Sequence, residues 1–261
     1  MPRIITVANN KGGVGKTTTA VSIGAALRNR GYDVLIIDYD GQANATATLR
    51  VPTSGGTTYV GMKTPATAKV PPVRVLAPEG SAGVLDVVPS CADVSTLENG
   101  LTGQPDRLTR FATFVGRYRD DYDVIIVDTP PALGLLSMSA ICAADDLIIA
   151  VQPHYLAAKG LLDLNNAITA VRAERLNQYV LFTQYDRRKG LHRLTVEQAE
   201  GAGFHVFATK IRDNVALAEA PAAGLDIFRY APRSNGAADY DAVTDEYLNG
   251  RKLRHVKHGN R

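Results

Sequence analysis

Short, wholly apolar runs alternate along this chain with stretches whose apolar positions recur every three or four residues. The first pattern predicts strands buried on both faces, and the second predicts helices with one side on a core. Arg3 to Ala8 is such a run and opens into a glycine loop; from Thr17 to Leu27, the apolar or small residues Ala20, Ile23, Gly24 and Leu27 stand at helical spacing. After a turn-rich link at Arg30 to Asp33, Val34 to Ile37 is again continuous and β-branched, ending at Asp38 and Asp40. Further strands are expected at Val84 to Val88, Asp123 to Val127, Leu147 to Val151, Val180 to Thr183 and Val206 to Thr209. Helices are expected at Leu108 to Tyr118, at Gly160 to Leu176, and around Tyr240, Val243 and Tyr247. Residues 52–83, rich in Pro, Gly and Thr and without periodicity, predict surface loops with one short strand near Val73 to Leu76. This alternation implies an α/β fold: a single-domain, twisted, mostly parallel sheet with helices on both faces.

Composition narrows the function classes. With 261 residues, 45% hydrophobic and 21% charged, the chain fits one large soluble domain. No apolar stretch approaches the roughly 18–20 residues that cross a bilayer. Met1 to Val7 leads straight into a strand-like run without an export signal, so a cytoplasmic location is expected. Cys91 and Cys142 are isolated, too few for a disulfide framework or a zinc site, and are expected to be buried, inert thiols. The net charge of +3 is uneven: residues 251–261 hold five Lys or Arg and no acid, which leaves residues 1–250 at −2. The expected organisation is therefore one domain over 1–250 and a basic tail over 251–261, and polyanion binding must use local patches or that tail.

Asn10-Lys11-Gly12-Gly13-Val14-Gly15-Lys16-Thr17-Thr18 lies between the first expected strand and the first expected helix. Closely spaced glycines let backbone N–H groups converge on phosphate oxygens, with the helix N-terminus behind them. In such a phosphate loop Lys16 contacts the β and γ phosphates and the Thr17 hydroxyl ligates Mg²⁺. Asn10 stands where the general pattern has glycine, and Lys11 is an additional lysine. Since Lys16 already serves one triphosphate, Lys11 either reaches a facing subunit's nucleotide, as an arginine finger does, or points to solvent.

This loop is similar to the deviant Walker A motif of the ParA/MinD ATPases. Asp38 to Thr46 resembles the same family's D-x-D-P-Q-G-N-A-T segment, with Gly41 and Ala43 in place of its proline and glycine. Asp128-Thr129-Pro130-Pro131 resembles the ParA form of Walker B, and Asn214 to Pro221 and Ala231 to Ala238 resemble late segments on the adenine side. The likeness spans nearly the whole chain outside residues 52–83 and the tail. It implies a Mg²⁺-dependent ATPase of the ParA/Soj type, hydrolysing ATP to ADP and phosphate. Residues Lys11 to Thr18 would bind nucleotide, with Lys11 on the partner's nucleotide. Thr17 and Asp128 would hold Mg²⁺, and Asp40 would orient the attacking water.

The resemblance also implies an ATP-dependent homodimer that binds non-specific DNA at the nucleoid and a ParB-type centromere-binding protein that stimulates hydrolysis, so that a replicon is positioned. One departure bears on the DNA surface, because Ala216 replaces a family arginine. Arg187, Arg188, Lys189 and Arg193 form a substitute cluster, with Arg172 and Arg175 expected on the preceding helix. The alternative is a MinD-like or other cargo-positioning regulatory ATPase that does not act on DNA. A membrane-bound form needs a bulky amphipathic tail helix, and the tail offers only Leu253 and Val256. An iron–sulfur relative needs a cysteine soon after Walker B, and residues 129–137 contain none.

Overall fold

A computed structural model describes residues 2–77, 79, 80, 82–172, 176–249 and 253. In chain order its strands are β1 Arg3–Ala8, β2 Val34–Asp38, β3 Val73–Leu76, β4 Leu85–Val88, β5 Val124–Asp128, β6 Asp146–Val151, β7 Asn177–Phe182 and β8 His205–Val206. The helices are α1 Lys16–Asn29, α2 Asn44–Thr48, α3 Thr58–Lys63, α4 Leu97–Leu101, α5 Arg110–Gly116, α6 Leu135–Ala143, α7 Ala157–Val171, α8 Gly190–Gly201, α9 Val215–Ala223, α10 Ile227–Tyr230 and α11 Asn235–Leu248. A 3₁₀ turn at Ala92–Thr96 leads into α4. The sheet runs β3-β4-β2-β5-β1-β6-β7-β8, with every pairing parallel except β3 against β4.

Alternate residues of each central strand feed two cores, as the pleat requires. Ile4 and Ala8 pack on one face with Phe111, Phe114 and Leu161, while Ile5 and Val7 pack on the other with Ile23, Tyr240 and Val243. On the second face α1 lies close to the sheet at Gly24, where an added Cβ would stand 3.1 Å from Ile36 Cδ1. At the end of the sheet opposite the phosphate loop, Asp146 accepts from Arg3 Nε at 2.5 Å, Tyr247 Oη at 2.7 Å and Asn177 Nδ2 at 3.0 Å. One carboxylate thereby ties β1, β6, β7 and α11 together.

Four expectations need correction. Residues 52–83 are more than surface loop: α3 buries Thr58 and Met62, Gly61 lies so near Phe114 that a Cβ would collide with its ring, and Val70 is buried too. The strand expected at Val206 to Thr209 stops at Val206, because the Glu246 carboxylate takes the N–H groups of Ala208 and Thr209 at 2.5 and 3.0 Å. The helix expected to reach Leu176 ends at Val171, and Arg172 is extended. Cys91 and Cys142 are half-buried rather than buried, with burial pushing the Cys142 thiol up. Arg175 and the tail, apart from Leu253, lie outside the described residues.

Candidate active site

The phosphate loop is fixed from both ends of its arc. Asn9, at the end of β1, donates from Nδ2 to Ala150 O at 2.5 Å and accepts the Lys11 N–H at 3.1 Å. Opposite, beyond β7, Thr183 Oγ1 donates to Val14 O at 2.8 Å and Gln184 Nε2 donates to Gly13 O at 3.0 Å. Gly13 and Gly15 have φ of 74° and 83°, a region that side chains with a Cβ enter only under strain. Lys16 is 7% exposed, and its Nζ donates to Lys11 O at 3.0 Å, curling over the arc where a phosphate would sit. Burial holds its ammonium below the usual lysine range, while the Asp128 and Asp40 carboxylates pull the other way.

Sheet register brings the carboxylates to this loop. Asp128, the last residue of β5, pairs with Val7 of β1 on one side and Asp38 of β2 on the other. The C-terminal ends of neighbouring parallel strands are where ligands bind in such sheets. Asp128 is fully buried, and among the described residues neither carboxylate oxygen has a hydrogen bond of normal geometry. Burial first and the Asp38 charge second push its carboxyl well up, against the Thr17 hydroxyl beside it and Lys16. Two buried carboxylate oxygens beside the Thr17 hydroxyl offer the hard oxygen ligands that a divalent cation takes. Asp40 is 6% exposed, accepts the Gln42 N–H at 3.0 Å, and lines, with Lys16 and Thr17, a cavity of about 500 Å³.

That cavity runs from Gly12, Lys16 and Thr17 toward Arg212, Leu217 and Tyr240. Arg212 is a bidentate partner of Asp239, at 2.7 Å from Nη2 to Oδ1, and Tyr240 Oη lies 3.0 Å from Thr19 Oγ1. Thr183, Gln184, Arg212 and Tyr240 were not among the residues expected in the nucleotide site. Thr183 and Gln184 carried a signal, since they follow the C-terminal end of an apolar strand. Arg212 and Tyr240 carried none, because they are far from the loop in sequence.

Lys11 is exposed and borders a second cavity of about 390 Å³ on the far side of the arc, with Gln152, His154 and Lys159. Arg187, Arg188, Lys189 and Arg193 are exposed together around the start of α8. Arg188 pairs with Asp186 at 2.9 Å, and Arg193 donates to Arg187 O at 2.9 Å. Arg172 does not join them. Its guanidinium donates to Ile141 O and Ala144 O, at 3.0 and 2.6 Å, and closes the end of α6. Ala216 is the second residue of α9, a helix without a basic residue.

A family model described as an AAA domain matches residues 2–181. The chromosome partitioning protein ParA of Myxococcus xanthus is 34% identical over 94% of this chain and 88% of its own length. The chromosome-partitioning ATPase Soj of Thermus thermophilus is 36% identical over 94% of this chain and 95% of its own length. In three dimensions the chain is similar to cobyrinic acid a,c-diamide synthase of Mycobacterium smegmatis, solved with ADP and magnesium, at a TM-score of 0.78 and 28% identity over 99% of this chain and 100% of that one. Identity at that level over almost the full length, on a two-lysine phosphate loop held level with buried aspartates, means that the chain belongs to the ParA/Soj family of chromosome-partitioning ATPases and is a Mg²⁺-dependent ATP-hydrolysing enzyme.

Proposed function

We propose that this chain is an ATP-driven partition switch: ATP closes a homodimer that binds DNA without reading its sequence, and a ParB-type partner stimulates the hydrolysis that releases it. The observation that carries this reading is the exposed second lysine, Lys11, on an arc whose own phosphate position Lys16 already serves. A charge directed out of its own pocket is suited to a nucleotide held by a second subunit. Within each subunit the Gly12 to Thr18 backbone cradles phosphates, Thr17 and Asp128 hold Mg²⁺, and Asp40 orients the attacking water. Bound Mg²⁺ supplies charge neutralisation at the phosphates. The buried Lys16 ammonium, which donates to Lys11 O, is placed to pair with phosphate oxygens.

For DNA, the supporting feature is the cluster Arg187, Arg188, Lys189 and Arg193. Cations at a helix N-terminus are disfavoured by the helix dipole, and phosphate anions offset that cost. The reading is tested by retention on random-sequence duplex with ATP, with ADP and without nucleotide, at low and moderate salt. Binding that needs ATP and falls steeply with salt supports it.

A second reading rests on a specific observation. Arg212 is locked by Asp239, and α9 offers no cation at Ala216, where the resemblance implies a family arginine. If ATP yields a dimer that does not bind DNA, the chain positions another cargo as a regulatory ATPase.

A further inference from the structure

Asp40 lies between β2 and α2, in a turn with no regular structure of its own, yet its backbone is bonded on both sides. Its N–H donates to Asp38 Oδ1 at 3.3 Å, and its carbonyl accepts the Ser90 hydroxyl at 2.7 Å and the Ala43 N–H at 2.8 Å. Ser90 belongs to a different part of the chain, two residues beyond β4, and is 1% exposed. Its own N–H donates to Thr46 Oγ1 at 2.9 Å, and Thr46 donates from Oγ1 and from N–H to Asp38 Oδ2 at 2.7 and 2.8 Å. The bonds therefore close a circuit: Asp38, Thr46, Ser90, Asp40 and back to Asp38.

The circuit is fastened from outside by α3, within residues 52–83. Thr58, at the start of α3, donates its hydroxyl to Asp38 O at 2.7 Å and its N–H to Pro89 O at 2.8 Å. It thereby pins the ends of β2 and β4 at one spacing. Every member of the circuit is buried, so each bond is made in a medium where an unmatched partner is costly and alternative geometries are few.

We propose that Ser90 and Thr46 are positioning residues for hydrolysis, which fix the turn carrying Asp40 so that its carboxylate is held at the cavity. This rests on the reading of Asp40 as the residue that orients water. Neither side chain lines the cavity; Ser90 reaches Asp40 directly, and Thr46 reaches it through Ser90 and Asp38. A misplacement of a reacting group by about 1 Å lowers rate by up to about 100-fold while leaving ground-state binding in place.

The test measures kcat and ATP affinity for Ser90→Ala, Thr46→Val, Thr46→Ser and Asp40→Ala in the full chain. Ser90→Ala and Thr46→Val are expected to lower kcat about 10-fold or more with ATP affinity within about two-fold of the parent. Thr46→Ser keeps the hydroxyl and is expected to retain most of the rate. An inactive Asp40→Ala beside a fully active Ser90→Ala overturns the positioning role and leaves Asp40 in place. An Asp40→Ala variant that hydrolyses at the parental rate overturns the reading of Asp40 and this proposal with it. Losses of rate matched by equal losses of ATP affinity, or shared by Thr46→Ser, overturn it as well, since they mark a general collapse of the site.

Discussion

Ala43 occupies a backbone position that its side chain does not favour. Its φ of 53° and ψ of 39° are left-handed, at the position where the ParA/MinD segment it resembles has glycine. A Cβ in that region costs about 1–2 kcal/mol, and replacing it with glycine returns about 0.4–1 kcal/mol of disorder to the unfolded chain. Ala43→Gly should therefore stabilise by about 0.5–1 kcal/mol, a rise of about 1–4 °C in Tm for a domain of this size. Thermal unfolding followed by circular dichroism checks it, and an unchanged or lower Tm would show that the strain is relieved some other way. Gly41 departs from the same motif for the opposite reason, because any Cβ there would collide with Ser95. At Lys16 the issue is charge: Lys16→Ala removes the buried ammonium aimed along the arc, and ATP turnover should fall to background in a phosphate-release assay. Normal turnover in that variant would defeat the phosphate-loop assignment.

Elements carry the next level of prediction. The helix α8 buries His192, Thr195, Val196 and Ala199 and leaves its charged residues outward, so its N-terminal cations are free of the core. Arg187→Glu combined with Lys189→Glu reverses two of those charges without touching a buried contact. Affinity for random duplex in the presence of ATP should drop at least about 10-fold at low salt, with a shallower salt dependence. Unchanged retention would move the DNA surface away from α8. The phosphate loop shows how elements share one task, since β1 leads into Asn9, β7 leads into Thr183 and Gln184, and α1 begins at Lys16. The expected strand over Val206 to Thr209 had the right residues but lost its last pairs to Glu246, a competitor from α11 that no local pattern announces.

The whole molecule is held at one end of the sheet by Asp146 and worked at the other by ligands. Burial alone would push the Asp146 carboxyl up, but hydrogen bonds from Arg3 and Tyr247, the Arg3 charge and Asn177 prevail and hold it below the ordinary aspartate value. A depressed carboxyl stabilises the fold above its unfolded pKa and loses that contribution as pH falls through the folded value. Asp146→Asn should thus cost on the order of 2–3 kcal/mol near neutral pH, less than a fully buried pair because Arg3 is partly exposed. The gap to the parent should close as pH drops below about 4. Urea unfolding at several pH values checks this, and a gap that is constant with pH would remove charge from the explanation. At the level of assembly, Lys11→Ala should bind ATP and remain monomeric. Light scattering with ATP reads this directly, and a dimer of normal strength would return Lys11 to solvent.

Local chemistry determined much of this protein. Continuous β-branched runs read as strands buried on both faces, and a glycine arc between strand and helix, flanked by Lys11 and Lys16 and followed by threonines, reads as a phosphate loop. Those features are legible because backbone preference and side-chain type act within a few residues of one another. The tertiary structure decided what depends on distant partners. The level of Asp128 with Val7 and Asp38 is a matter of strand register. The burial of Met62 and Gly61 depends on Phe114, the loss of Arg172 to the end of α6 depends on two carbonyls, and the grip on Asp40 depends on Ser90. In each case the partner is fixed by the folded path of the chain, and hydrogen bonds and packing reward that proximity whatever the separation in sequence.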